Sequence, residues 1–133
     1  MTADFLIIPG VIVIVGGLIL AVVPEKLRPW LFLVFPAAAL AVVFAVPEGR
    51  VVTASVAGMD LQPMAVDRLS RLFGIIFAAT AFIGGVYAWH VKDTTQQVGA
   101  LVYAGGALGV SFAGDFFSLL VFWELMAVSS VWL

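Results

Sequence analysis

The chain has 133 residues, of which 64% are hydrophobic and 11% charged, with a formal net charge of -2. Its mean hydropathy of +1.21 lies far outside the range of soluble domains and predicts an integral membrane protein. It has no cysteine and one histidine, which excludes disulfides, zinc-thiolate sites and cysteine-ligated iron–sulfur clusters, predicts no metal or cofactor, and leaves redox chemistry to other chains. The charge balance leaves no basic surface for nucleic acid.

No Lys or Arg precedes the first apolar run and no small-residue cleavage site follows it, so the run reads as a retained helix over 5–23 rather than a signal peptide. Pro9 falls in its first turns, where a missing N–H costs least, and Gly10, Gly16 and Gly17 leave flat places for another helix. The segment from Pro24 to Pro29, with Lys26 and Arg28, reads as a tight connection. Helix 2 is expected over 30–46, with Trp30 as an interfacial anchor and Pro36 inside. Residues 47–66 read as a surface loop or small hairpin, with strands over 51–56 and 61–66 about a turn at Ala57–Asp60, and Pro63 confined to an edge.

Helix 3 is expected over 67–89. Asp67 has N-cap chemistry, weighed equally against a functional role. Gly74, Ala78, Ala81 and Gly85 form a small-residue stripe that admits a close neighbour. Tyr87, Trp89 and His90 close this helix at an aromatic belt, and the lone His90 reads as a helix-end contact rather than a ligand. A polar loop over 91–97 then leads to helix 4 over 98–113, whose Gly105 and Gly109 have the Gly-x-x-x-Gly spacing. Helix 5 is expected over 115–133, which makes the fold class all-α integral membrane, five transmembrane helices in one membrane domain. The short connections carrying Lys26, Arg28 and Lys92 are expected on the cytoplasmic side, which places the N-terminus outside.

Glu124 stands alone in helix 5. Counted from Asp115 at about 1.5 Å per residue it lies about 13.5 Å deep, near the middle of a hydrocarbon core about 30 Å thick. An acidic side chain there costs about 2.5–3.5 kcal/mol to insert and marks a functional site by default, with the bundle interior as its expected direction; the plainer alternative is a protonated Glu packed against a neighbour. Phe117, Leu120, Val121, Ala127, Val128 and Val131 share its stripe by three- and four-residue spacing, and Ala127 leaves room beside it for a partner side chain or water. Both lysines and all four arginines lie in loops or first turns of helices, so a cation for Glu124 is expected from another polypeptide. Ser129 and Ser130 read as helix–helix hydrogen-bonding groups.

Three segments resemble a known family: Ala65-Val-Asp67-Arg-Leu-Ser70, Tyr87-Ala-Trp-His90, and above all Asp115-Phe-Phe-Ser-Leu-Leu-Val-Phe-Trp-Glu124-Leu-Met-Ala-Val-Ser-Ser130. They look like the N-terminal part of the antiporter-like subunits of Mrp-type multisubunit Na+/H+ antiporters (subunits A and D), of the membrane arm of respiratory complex I, and of related membrane-bound hydrogenases. The resemblance implies that Glu124 is the helix-5 glutamate of the proton-translocation path, pairing with a lysine on a later helix. Asp67 and Asp115 are secondary candidates. It further implies a transporter subunit in the bacterial inner membrane, with partners that are other membrane subunits, including a lysine-bearing chain supplying the later helices. Set against that resemblance, the expectation is either a split or truncated subunit whose remainder is a separate polypeptide, or a processed or partly built piece of a longer one. A proton-pumping subunit of a complex I-like oxidoreductase or membrane-bound hydrogenase, and a purely structural membrane subunit, are the alternatives.

Overall fold

A computed structural model describes residues 7–132. Five helices and one two-stranded sheet follow in the order α1 (Pro9–Leu20), α2 (Arg28–Ala45), β1 (Val51–Val56), β2 (Met59–Ala65), α3 (Arg68–Tyr87), α4 (Thr94–Phe112) and α5 (Phe116–Ser130). Helices α1 to α4 close a ring in which α1 packs on α2 and α4, and α3 also packs on α2 and α4. Helix α5 lies outside that ring, against α4 and β2.

Glycines set the closest approaches. A Cβ on Gly10 of α1 would stand 2.5 Å from the Gly105 carbonyl oxygen and 2.7 Å from the Gly109 nitrogen, so α1 and α4 cross backbone to backbone. The core around that crossing is fully apolar, with Val13, Leu20, Ala39, Ala78, Leu101, Leu108 and Phe112 buried.

Several boundaries differ from the sequence expectation, each for a local reason. Helix α1 begins at Pro9, which supplies a fixed φ and no donor at the first position, and gives way after Leu20 to turns leading into Pro24. Residues 5 and 6 of the expected span lie outside the described residues. Helix α4 starts four residues earlier than expected, because Asp93 accepts the Thr95 N–H and caps it. Thr94 to Gln97, read as loop from their polarity, are therefore its first turn, and Gln97 is buried with its Nε2 donating to the Val91 carbonyl. Helix α3 stops at Tyr87, so Trp89 and His90 fall in the following turn, where Trp89 meets Trp30 edge to face at 4.8 Å. Helix α2 runs Arg28–Ala45 with Pro36 buried inside it, and α5 ends at Ser130, with Leu133 outside the described residues.

Only α2 and α3 among the described residues are both long and apolar enough to cross a membrane. The five-span expectation is thus narrowed to two clear spans. At about 1.5 Å per residue the 12-residue α1 and the 15-residue α5 reach about 18 and 22 Å, less than a full core. In α4 the polar first turn dilutes an otherwise apolar helix.

Within residues 47–66 the hairpin forms from Val51–Val56 and Met59–Ala65, so the second strand starts two residues before the expected 61 and the turn shortens from Ala57–Asp60 to Ala57–Gly58, because Met59 and Asp60 pair with Val56 and Ser55. Ala57 at φ 51 and Gly58 at φ 80 make its two-residue turn, the left-handed pair whose twist suits antiparallel strands. The register slips between Val52 and Ala54, opposite Gln62 and Pro63, where Pro63 has no N–H to offer the ladder. Its inner side chains Val52, Ala54 and Met64 are buried.

Candidate functional site

Helix α5 is positioned by two contacts. Phe122, 7% exposed, lies where a Cβ on Gly109 would overlap its ring, and a Cβ on Gly106 would stand 2.6 Å from Met126. The α4 glycines thus receive α1 on one side and α5 on the other. At the start of α5, Asp115 is the N-cap: Oδ1 accepts the Ser118 N–H at 2.7 Å and Oδ2 accepts the Ser118 hydroxyl at 3.0 Å. Oδ2 also accepts the backbone N–H of Gln62, from the middle of β2. The Gly114 N–H returns a bond of 2.8 Å to the Gln62 carbonyl. Burial pushes the Asp115 carboxyl up, but the Ser118 and Gln62 backbone donors and the Ser118 hydroxyl outweigh it and hold the group below its usual range.

Glu124 does not point into the bundle interior as expected: Phe122 takes the side of α5 that packs on α4, and Glu124 lies on the side that faces away. It is two residues beyond Phe122, about 200° around the helix, and it is exposed. Its stripe is exposed with it: Phe117, Leu120, Val121, Ala127, Val128 and Val131. The Glu124 carboxylate makes no hydrogen bond or ion pair among the described residues, whereas Glu48 pairs with Arg71 and Glu25 with Lys92. On the flank of this face a cavity of about 220 Å³ is lined by Tyr103, Trp123, Met126, Ala127 and Ser130, so space adjoins Ala127. Ser129 is buried against the bundle and Ser130 is exposed, and each hydroxyl donates to a carbonyl one turn back.

Asp67 is the N-cap of α3 in a reciprocal capping box. It accepts the Ser70 N–H at 2.7 Å while its own N–H donates to the Ser70 hydroxyl at 2.8 Å. The Ser70 N–H and hydroxyl hold its carboxyl below the usual range. Asp67, Asp115 and Glu124 are not brought together: the first two sit at helix starts, and Glu124 lies two and a half turns into α5.

The small-residue stripe of α3 faces inward. Gly74 and Ala78 are buried, with Phe112 and Val43 against Gly74, and a Cβ on Gly85 would stand 2.6 Å from the Phe32 ring. Ala81 is half-buried. At Gly85 the neighbour is thus a side chain rather than another backbone.

Two residues escaped the sequence reading. Arg71 donates to the carbonyls of Val43, Phe44 and Val46 and so closes the C-terminal end of α2. A cation in the first turn of α3 opposes the helix dipole, which was a signal that something else holds it. Gln62 contributes through its backbone, for which residue type gives no signal.

No protein-family model and no curated protein matches the sequence. Among solved structures, a chain in the membrane-bound sulfane sulfur reductase, an archaeal respiratory membrane complex, is similar: its TM-score is 0.80 and its identity 27% over 95% of this chain. The present chain spans 22% of that one. With the apolar helices α2 and α3, this similarity supports a membrane chain.

Proposed function

We propose that the chain is part of an ion-translocating, antiporter-like subunit of a multisubunit membrane complex, and that Glu124 is its proton-carrying group. The observation that supports this most is the placement of Glu124: a carboxylate in the middle of an apolar helix, directed away from its own bundle on an unbroken exposed face. A structural acid would gain most by turning inward to a hydrogen-bond donor, whereas a relay must meet a partner that changes. Further helices of the subunit, on the same chain or another, cover that face and bring the lysine that alternately pairs with Glu124 and releases it. All five helices belong to the membrane bundle.

The resemblance of the Asp115–Ser130 segment points to a Mrp-type Na+/H+ antiporter in a bacterial inner membrane. The similarity to a chain of a respiratory membrane complex favours the second reading, a proton-pumping subunit of a complex I-like assembly. The chemistry at Glu124 is the same in both: a proton is taken up when the partner cation withdraws and released when it returns, with no covalent step.

Glu124→Gln tests the proposal, with assembly and translocation measured separately in membrane vesicles. Translocation abolished with assembly intact is the expected result. Assembly lost instead supports the structural-subunit reading, and wild-type translocation contradicts the proposal.

A further inference from the structure

The hairpin packs its buried Val52 and Met64 into the core at the edge of the helix bundle, and it also holds the helix that carries Glu124. Gln62 of β2 exchanges hydrogen bonds with both residues that open α5: its carbonyl accepts the Gly114 N–H, and its N–H donates to the Asp115 side chain. The approach is close, since a Cβ on Gly114 would stand 2.8 Å from the Gln62 Cβ and 3.1 Å from the Ala65 Cβ. The other support of α5 is its apolar seat on α4, where Phe122 and Met126 rest on glycines. That apolar packing is non-directional, whereas the Gln62 clamp is directional.

We propose that Asp115 is a positioning residue. Its bond to Gln62 makes the β1–β2 hairpin an axial stop for α5, fixing the depth and rotation at which Glu124 meets its partner. This deepens the proposed function and rests on that reading. The nine residues from Asp115 to Glu124 form a continuous helix about 13.5 Å long, so a displacement at the hairpin reaches the carboxylate with little attenuation. The exposed hairpin turn at Ala57 and Gly58 thereby becomes a place from which the depth of Glu124 can be altered from outside the membrane.

The two roles of Asp115 separate chemically. Asp115→Asn keeps one oxygen to accept the Ser118 N–H, preserving the cap, but turns an amide NH2 toward the Gln62 N–H, where two donors oppose each other. Gln62→Pro removes the donor from the other side and leaves α5 untouched.

The experiment uses the assembled complex in membranes. In Asp115→Asn, the Gln62 amide should exchange hydrogen at least tenfold faster while the Ser118 amide stays protected. In both variants the maximal translocation rate per assembled complex should fall about tenfold, in keeping with the sensitivity of reacting groups to displacements near 1 Å, with the half-saturating cation concentration unchanged. A purely structural role would lower the amount assembled and leave the rate per complex intact, which overturns the proposal. It is equally overturned by a rate loss confined to Asp115→Asn, by full rates in both variants, or by unchanged exchange at Gln62. If Glu124→Gln itself translocates normally, the proposed function fails, and the amide exchange still decides whether the clamp exists.

Discussion

The Phe122 ring occupies the space that a side chain on Gly109 would need. That fit seats α5 on α4 and, by the geometry of the helix, directs Glu124 to the opposite side. Gly109→Ala should therefore overpack the contact and destabilise the chain by about 1–3 kcal/mol. Gly84 lies on an open face of α3, where an added Cβ would meet nothing within 4 Å, and provides the contrast: Gly84→Ala should be neutral or stabilise by up to about 1 kcal/mol. Unfolding of both variants in the same detergent checks the pair, and equal effects would mean that the Gly109 contact is not filled.

Arg71 should be worth more to stability than its place near a helix end implies. Arg71→Met leaves the carbonyls of Val43, Phe44 and Val46 without their donor, an expected loss of about 2–3 kcal/mol for hydrogen bonds from a charged group. Arg71→Lys should recover only part of this, since an ammonium cannot reproduce the guanidinium fork. Denaturant unfolding of the two variants measures the difference.

Most of the architecture was legible because its signals are local. The turn-like Ala57–Asp60 segment between two short strand-like runs marked the hairpin, the apolar runs marked the helices, and the N-cap chemistry of Asp67 marked the start of α3. The beginning of α4 was misread because Thr94 to Gln97 are polar, yet polarity does not oppose a first turn once Asp93 caps it. The Asp115–Gln62 bond spans 53 positions and uses a backbone donor, so no pattern of residue types announces it. Glu124 stood out by its chemistry alone, but its direction followed only from knowing that Phe122 faces α4.

Stability should fall in acid through the two capping carboxylates. Asp67 and Asp115 both have folded-state values below the ordinary carboxylate range, so their contribution is fully present above the unfolded value and is lost as pH falls through the folded one. Asp67→Asn should flatten part of this acid limb while leaving stability at neutral pH nearly unchanged, because Asn caps about as well as Asp. Unfolding midpoints measured from neutral pH downward check it. A limb identical to wild type would mean that Asp67 does not titrate with folding.

Opening the close-packed face of α3 should disturb the ring of helices. Gly85→Leu places a branched side chain where a Cβ alone would already stand 2.6 Å from the Phe32 ring and 2.8 Å from Leu33, so α2 and α3 must separate. The expected outcome is a lower yield of assembled protein and an earlier thermal transition. Wild-type assembly in this variant would show that Phe32 can turn aside at little cost.

Glu124 should change its protonation as the complex works, and carboxyl-stretch infrared difference spectroscopy of the assembled complex under an imposed ion gradient reads that change. The expected result is a carboxylic-acid difference band in the wild type that disappears in Glu124→Gln. Identical difference spectra for the two proteins would contradict it.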